Sequence, residues 1–125
     1  MVMRALRGAI TVDEDSPEQV SRHTQTLLKA VFDRNGISSD DVVSVLFTAT
    51  GDISMPPAAA AREVGMTDVP LLCAQEMEAS VGPPLCIRLM MHVDVDRPRH
   101  EMRHVFLRGA TVLRPDLVEP GDAEV

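Results

Sequence analysis

Four side chains have types and placements suited to holding or polarising a small anion: Arg88, Arg7, Glu76 and Cys73. Arg88 lies within Cys86-Ile87-Arg88-Leu89-Met90, where strand alternation puts Cys86 and Met90 on its own face and Leu89 and Val93 on the other. A guanidinium in that position wants an anion, because it stays charged and offers a planar fork of donors. An arginine on a half-exposed sheet surface answers the same pattern. Arg7 occupies a comparable place beside Gly8, whose missing side chain would admit a ligand; taken singly, it reads first as a surface charge. Glu76 follows Cys73 by three residues, just past a predicted strand, where loops commonly carry binding groups. It could accept a hydrogen bond from a hydroxyl, or stand as a solvated loop carboxylate. Nothing local marks Cys73 as an activated thiolate, and a small core residue is the simpler reading.

Other chemistries lose ground by what the chain lacks. His23, His92, His100 and His104 are scattered without an H-E-x-x-H pattern, and Cys73 and Cys86 form no C-x-x-C pair, so no metal centre is expected. There is no Walker A sequence, no G-x-G-x-x-G and no serine elbow, which disfavours nucleotide cofactors and acyl-enzyme chemistry. Phe32, Phe47 and Phe106 are the only aromatics, so base-stacking platforms are nearly excluded. A net charge of −7 opposes general attraction to nucleic acid or an anionic membrane, and an anionic ligand would need a local cluster of arginines. Arg4 and Arg7 interrupt the apolar residues near the start before a signal-peptide core can form, and no apolar run approaches membrane-spanning length. Reduced cysteines and a cytoplasmic setting are the expectation.

The elements that must position these residues follow from periodicity. Met3 to Val12 predicts a first strand, ended by Asp13 to Asp15. Ser16 predicts an N-cap, with Pro17 at the first helical position, Gln19 closing a capping box, an apolar stripe of Val20, Thr24, Leu27, Leu28 and Val31, and Gly36 as the stop. Val42 to Thr48 is a nearly continuous apolar run, which predicts a strand covered on both sides. Pro56-Pro57 leads into a short helix over Ala58 to Val64, and Val69 to Cys73 predicts a third strand. Leu85 to Val95 and Val105 to Leu113 complete the strands, with a turn or short helix near Pro98 to Arg103. The order predicts an α+β, α/β-barrel-like domain: a mixed β-sheet with helices on one face. A single domain spans 1–117; the acidic segment 118–125 has little apolar content and is expected to be mobile without a ligand or partner.

Several segments, in order, carry a resemblance. Arg4-Ala5-Leu6-Arg7-Gly8-Ala9, Thr48-Ala49-Thr50, Val69-Pro70-Leu71-Leu72-Cys73-Ala74-Gln75-Glu76-Met77, Cys86-Ile87-Arg88-Leu89-Met90-Met91, Arg103-His104-Val105-Phe106-Leu107 and Val112-Leu113-Arg114-Pro115-Asp116-Leu117 together resemble the monofunctional AroH-class chorismate mutases. Each motif alone is weak, but six in register across nearly the whole chain are specific. The resemblance implies a homotrimer whose sheets surround a pseudo-α/β barrel, with active sites in clefts between subunits. It implies conversion of chorismate to prephenate by an intramolecular Claisen shift, with no covalent intermediate, base, metal or cofactor.

For the site, the resemblance implies that Arg88 donates to the developing ether oxygen and a carboxylate, Arg7 grips a substrate carboxylate, and Glu76 accepts from the ring hydroxyl with Cys73 beside it. Leu72, Ala74, Gln75 and Leu113 would complete the wall, and Arg62 and Arg114 would steer a dianion at the cleft mouth. Phe106 stands where many relatives carry tyrosine, Leu72 where threonine is frequent, Pro56 where phenylalanine is frequent and Ala59 where lysine is frequent. These departures bear on affinity more than on chemistry, so a raised Michaelis constant with a largely retained turnover number is expected. Two other readings share the scaffold logic: a trimeric imine-hydrolysing or metabolite-binding protein of the RidA type, and a purely structural trimer, which gives Arg88 no reason to be where it is.

Overall fold

The structure, a computed structural model, describes residues 1–78 and 81–125. Five strands form one mixed sheet: β1 (Met3–Thr11), β2 (Val42–Ala49), β3 (Leu71–Gln75), β4 (Cys86–Asp94) and β5 (Val105–Leu107), in the spatial order β3-β2-β4-β1-β5. Strand β4 lies antiparallel to both β1 and β2, while β3 runs parallel to β2 and β5 parallel to β1. Two helices, α1 (Pro17–Asn35) and α2 (Ala58–Glu63), supply the second layer.

Helix α1 starts where the sequence requires. The Ser16 hydroxyl oxygen accepts from the Gln19 amide at 3.2 Å, and Pro17, which has no N–H to satisfy, takes the first turn. The Gln19 side chain does not return to the cap residue as a capping box would; it accepts from the Asp13 amide at 3.1 Å, tying the end of β1 to the helix start. Gly36, at φ +59°, ends the helix in the left-handed conformation glycine tolerates. The α1 stripe of Val20, Leu27, Leu28 and Val31 meets Leu6, Ile10, Val45, Phe47, Ile87, Leu89, Met91 and Val93 from one face of the sheet, and this is the main core.

Two expectations are corrected. Strand β2 is covered on one side only: Val45 and Phe47 are buried against the helical layer, whereas Leu46 between them is 38% exposed. Both helices lie on the same face, so one copy of the chain has no second layer to cover Leu46. The last strand also stops early, at Leu107 rather than Leu113. Arg108 takes φ +55°, a turn conformation, and Arg108–Leu113 coil into a 3-10 helix in which the Gly109 amide donates to the Thr11 hydroxyl at 2.9 Å. That helix buries Ala110 against Phe106, Ala9 and Cys86, a small second cluster on the face opposite α1.

The segment 118–125, expected to be mobile without a ligand or partner, makes side-chain contacts with the rest of the chain. Asp122 is buried and accepts from both terminal nitrogens of Arg34, at 2.6 and 3.3 Å, while Glu119 pairs with Arg103 and Arg108 donates to the Val125 carbonyl at 2.6 Å. Composition showed the acids of this segment but not the arginines that receive them.

Candidate active site

Strand register decides which side chains share the face away from the helices. One row crosses the whole sheet: Phe106 on β5 lies beside Ala9 on β1, Ala9 opposite Arg88 on β4, Arg88 opposite Thr48 on β2, and Thr48 beside Ala74 on β3. The neighbouring row on that face sets Arg7 opposite Met90, Met90 opposite Leu46, and Leu46 beside Leu72. Arg7 and Arg88 therefore rise from one face on adjacent strands, two residues out of register. At the β3 end of the Arg88 row the small, exposed Ala74 leaves the sheet face open, whereas Ala9 at the β1 end is roofed by the 3-10 helix.

Glu76 reaches this row from just beyond β3. Its amide donates to the Ala49 carbonyl at 2.7 Å, continuing the β2–β3 ladder by one bond, and its Oε2 accepts from the Thr48 hydroxyl at 2.5 Å. The same oxygen stands 3.8 Å from Arg88 Nε, an ion pair by distance but beyond hydrogen-bonding range. Arg88 Nε is buried and finds no hydrogen-bond partner among the described residues. A buried donor left in that state is costly unless something accepts from it, and the Arg88 side chain also lines a cleft. Burial pushes the neighbouring Cys86 thiol up, against the pull of Arg88, so Cys86 stays a neutral thiol beside the guanidinium.

That cleft has a volume of about 920 Å³ and is lined by Arg88, Glu76, Gln75 and Leu113, with Thr50 to Asp52 on one side and the exposed apolar Met77, Val81 and Val112 at its rim. The Asp52 carboxylate braces its floor, accepting from the Thr50 hydroxyl at 2.5 Å and the Leu85 amide at 3.0 Å. A smaller hollow of about 210 Å³ lies on the other side of Gln75, walled by Cys73, Ala74, Pro56 and Pro57. An arginine with a free donor, a carboxylate oriented by a hydroxyl, and apolar walls suit a compact, polyanionic, hydroxylated ligand. Among the described residues, no group of three or more His, Cys, Asp or Glu side chains is placed to hold a metal ion.

Comparison with known proteins agrees with this chemistry. The family described as chorismate mutase type I matches residues 3–117. The chain belongs to that family. Chorismate mutase AroH of Bacillus subtilis is 43% identical over 119 residues, covering 94% of each chain, and chorismate mutase AroH of Thermus thermophilus is 44% identical over 118 residues, covering 93% of this chain and 97% of the relative. A chorismate mutase from Clostridium thermocellum superposes with a TM-score of 0.84 at 40% identity, covering 86% of this chain and 97% of that one. These matches favour the mutase reading over an imine-hydrolysing or metabolite-binding trimer.

As a type I chorismate mutase, the chain gathers only part of its expected site in one place. Arg88, Glu76, Gln75 and Leu113 share the large cleft; Cys73, Ala74 and Gln75 share the small hollow. Cys73 aligns with Phe47, on the helix-facing side of the sheet, and packs against the main core. Arg7, Leu72, Phe106, Arg62 and Arg114 line neither recess among the described residues. Leu72 is 66% exposed on edge strand β3, Phe106 is buried beneath the 3-10 helix, and Arg62 is exposed on α2. Arg114 is held by Asp116, with Nε and one terminal nitrogen donating to the two carboxylate oxygens at 3.1 and 2.9 Å. Thr48, whose hydroxyl donates to Glu76 beside Arg88, was not singled out from sequence. Alternation gives only its face, shared with Ser44 and Leu46; its partner Glu76 is brought to it by the β2–β3 pairing.

Proposed function

We propose that this chain converts chorismate to prephenate in the biosynthesis of aromatic amino acids, in the cytoplasm. In the rearrangement the ether C–O bond breaks as a C–C bond forms within one molecule, so no atom is gained or lost and no proton needs to be moved. The enzyme has two tasks: to hold the enolpyruvyl arm folded over the ring, and to stabilise the negative charge that gathers on the ether oxygen as its bond lengthens. Arg88 serves the second. Its guanidinium is charged, rigid and already deprived of solvent at Nε, so little reorganisation accompanies the charge shift. Glu76 receives the ring hydroxyl on the oxygen not taken by Thr48, and Arg7 holds a substrate carboxylate. A single preorganised donor contributes about 3–4 kcal/mol, whereas enzymic acceleration generally requires at least ~8 kcal/mol, so these anchors act together.

The working unit is a homotrimer. Three features support it: the part of the sheet face left uncovered, with half-exposed Met3 and Leu46 and the more exposed Leu72, the exposed apolar rim of the cleft, and the division of the expected site between two recesses of one chain. Seating the Cys73 hollow of one copy against the Arg88 cleft of the next assembles the set and brings Arg62 to the mouth.

The observation that carries the reading is the unpartnered Nε of Arg88 beside a hydroxyl-oriented Glu76. The test is loss of the chorismate diene absorbance on mixing with purified protein, wild type against Arg88→Ala. No turnover by the intact oligomer would reject the assignment, and a monomer by light scattering would reject the shared site.

A further inference from the structure

At the level of Arg7, strand β1 has no strand neighbour on its β5 side: pairing with β5 begins one residue later, Gly8 beside Val105. The Arg7 amide points to that side and donates instead to Nδ1 of His104, the residue immediately before β5, at 3.0 Å. The imidazole thus stands in for the missing ladder acceptor, from a position 97 residues further along the chain.

His104 is itself held. The Arg103 amide, next to it in the chain, donates to the Asn35 side-chain oxygen at 2.8 Å, and the Asn35 side-chain nitrogen donates to the Arg103 carbonyl at 2.9 Å. Asn35 is buried at the end of α1, so the stretch entering β5 is pinned to the core on the residue before the histidine.

We propose that His104 is a positioning residue for Arg7, its neutral Nε2–H tautomer accepting from the Arg7 main chain and fixing the stretch of β1 from which that guanidinium reaches the substrate. The proposal rests on the reading of Arg7 as a carboxylate anchor, and it extends that reading to a residue that meets no substrate. Protonation would turn the acceptor into a second donor facing the Arg7 N–H, so the bond exists only with neutral imidazole. Burial and the Arg114 and Arg7 charges push the group below the ordinary histidine value of 6.5, which keeps it neutral at neutral pH. The adjacent Arg103 is engaged by Glu119, and Arg114 by Asp116.

The experiment has two arms. In full-chain protein labelled with 15N-histidine and free of substrate, His104 should show an unprotonated Nδ1 and a protonated Nε2, titrating below 6.5, with the Arg7 amide resonance moving in the same titration. A protonated Nδ1 at neutral pH, or an Arg7 amide indifferent to the titration, would overturn the proposal whether or not the protein is a mutase. In the second arm His104→Leu, which lacks the acceptor, should raise KM for chorismate about tenfold with kcat nearly unchanged, the signature of lost uniform binding. His104→Asn, whose amide oxygen can accept but cannot titrate, should restore KM and flatten its dependence between about pH 5 and 7. Wild-type KM in His104→Leu would sink the positioning role, whereas no turnover by the wild type would sink the mutase reading alone.

Discussion

Glu76 and Arg88 approach each other through one carboxylate oxygen, Oε2, which takes the Thr48 hydroxyl at 2.5 Å and stops 3.8 Å short of Arg88 Nε. The carboxylate is committed to threonine rather than to the arginine. Had it closed on Nε, the guanidinium would be neutralised within the protein and less available to a bound anion. Held at this separation, it attracts the guanidinium while leaving Nε without a hydrogen-bond partner among the described residues.

Arginine at position 88 should not be exchangeable for lysine. A lysine ammonium is a compact point charge on a flexible stem, and it cannot present one donor toward the reacting oxygen and others toward a carboxylate in a fixed plane. Removing a preorganised donor of this kind typically costs ~10²–10³-fold in kcat. Steady-state kinetics of Arg88→Lys should show a loss of at least that order in kcat, with a folded oligomer by light scattering. Retention of kcat within a few-fold would remove Arg88 from the ether oxygen.

Thr48→Val tests what the threonine contributes. Valine keeps the shape and the strand preference, and the site is only partly buried, so stability should change by about 1 kcal/mol or less. The Glu76 carboxylate would lose its orienting bond and be free to close on Arg88 Nε. The expected result is a KM several-fold higher with a smaller fall in kcat, measured against wild type at one pH. Unchanged kinetics would show that Glu76 is positioned by its backbone bond to Ala49 alone.

Which parts of this were legible in the sequence follows from the range of each interaction. Helix α1 was readable because its signals are local: Ser16, Pro17, an apolar stripe and Gly36 lie within one segment. Arg88 was readable as lying on the face opposite Leu89 and Val93, since alternation fixes faces within a strand, but that Arg7 shares its face needed the β1–β4 register. The length of β5 was not, because its end depends on Arg108 turning to φ +55° so that Gly109 can meet Thr11, 98 residues away in sequence. Thr48 and His104 escaped for the same reason. Each acts on a partner brought close only by the sheet register, and no spacing along the chain records that. The apolar run of β2 misled because it predicted cover on both sides, whereas in the structure Leu46 is 38% exposed on the face away from the helices.

Phe106 offers a gain-of-affinity test. Many members of the family carry tyrosine there, and in this chain the ring is 4% exposed, packed with Ala9, Cys86 and Ala110. A hydroxyl added by Phe106→Tyr and placed against a substrate carboxylate would supply a charge-assisted bond worth ~1.5–3 kcal/mol, so KM should fall by about tenfold or more. Without ligand the same hydroxyl would be buried and poorly satisfied, at a cost of ~1–3 kcal/mol. Thermal unfolding should therefore show a lower Tm than wild type in buffer and a larger rise on adding prephenate. A KM unchanged by the substitution would mean that the ring lies away from the bound carboxylates.

Acid should weaken the fold in two separate stages. Burial first, and then the Arg108 and Arg22 charges, push His23 below 6.5, and burial with Arg114 and Arg7 does the same to His104. A group with a lowered folded pKa favours folding above its unfolded value and loses that contribution as pH falls, because the unfolded chain takes up the proton first. The histidine stage therefore begins as pH drops below 6.5 and ends at the lowered folded values. Asp122 gives the second. Burial pushes its carboxyl up, but the Arg34 bonds and the Glu119 amide outweigh burial and hold it below 3.8, so its contribution persists above 3.8 and fades as pH falls through the folded value. Urea midpoints measured across this range should fall first below 6.5 and again below 3.8, and His23→Gln should shrink only the upper step. Asp122→Asn should shrink only the lower step while reducing stability at neutral pH by about 1–2 kcal/mol, since Arg34 is part-exposed and water softens the loss. A neutral-pH midpoint unchanged in Asp122→Asn would mean that the 118–125 segment is not fastened to α1 in solution, and the lower step would then have to come from other carboxylates.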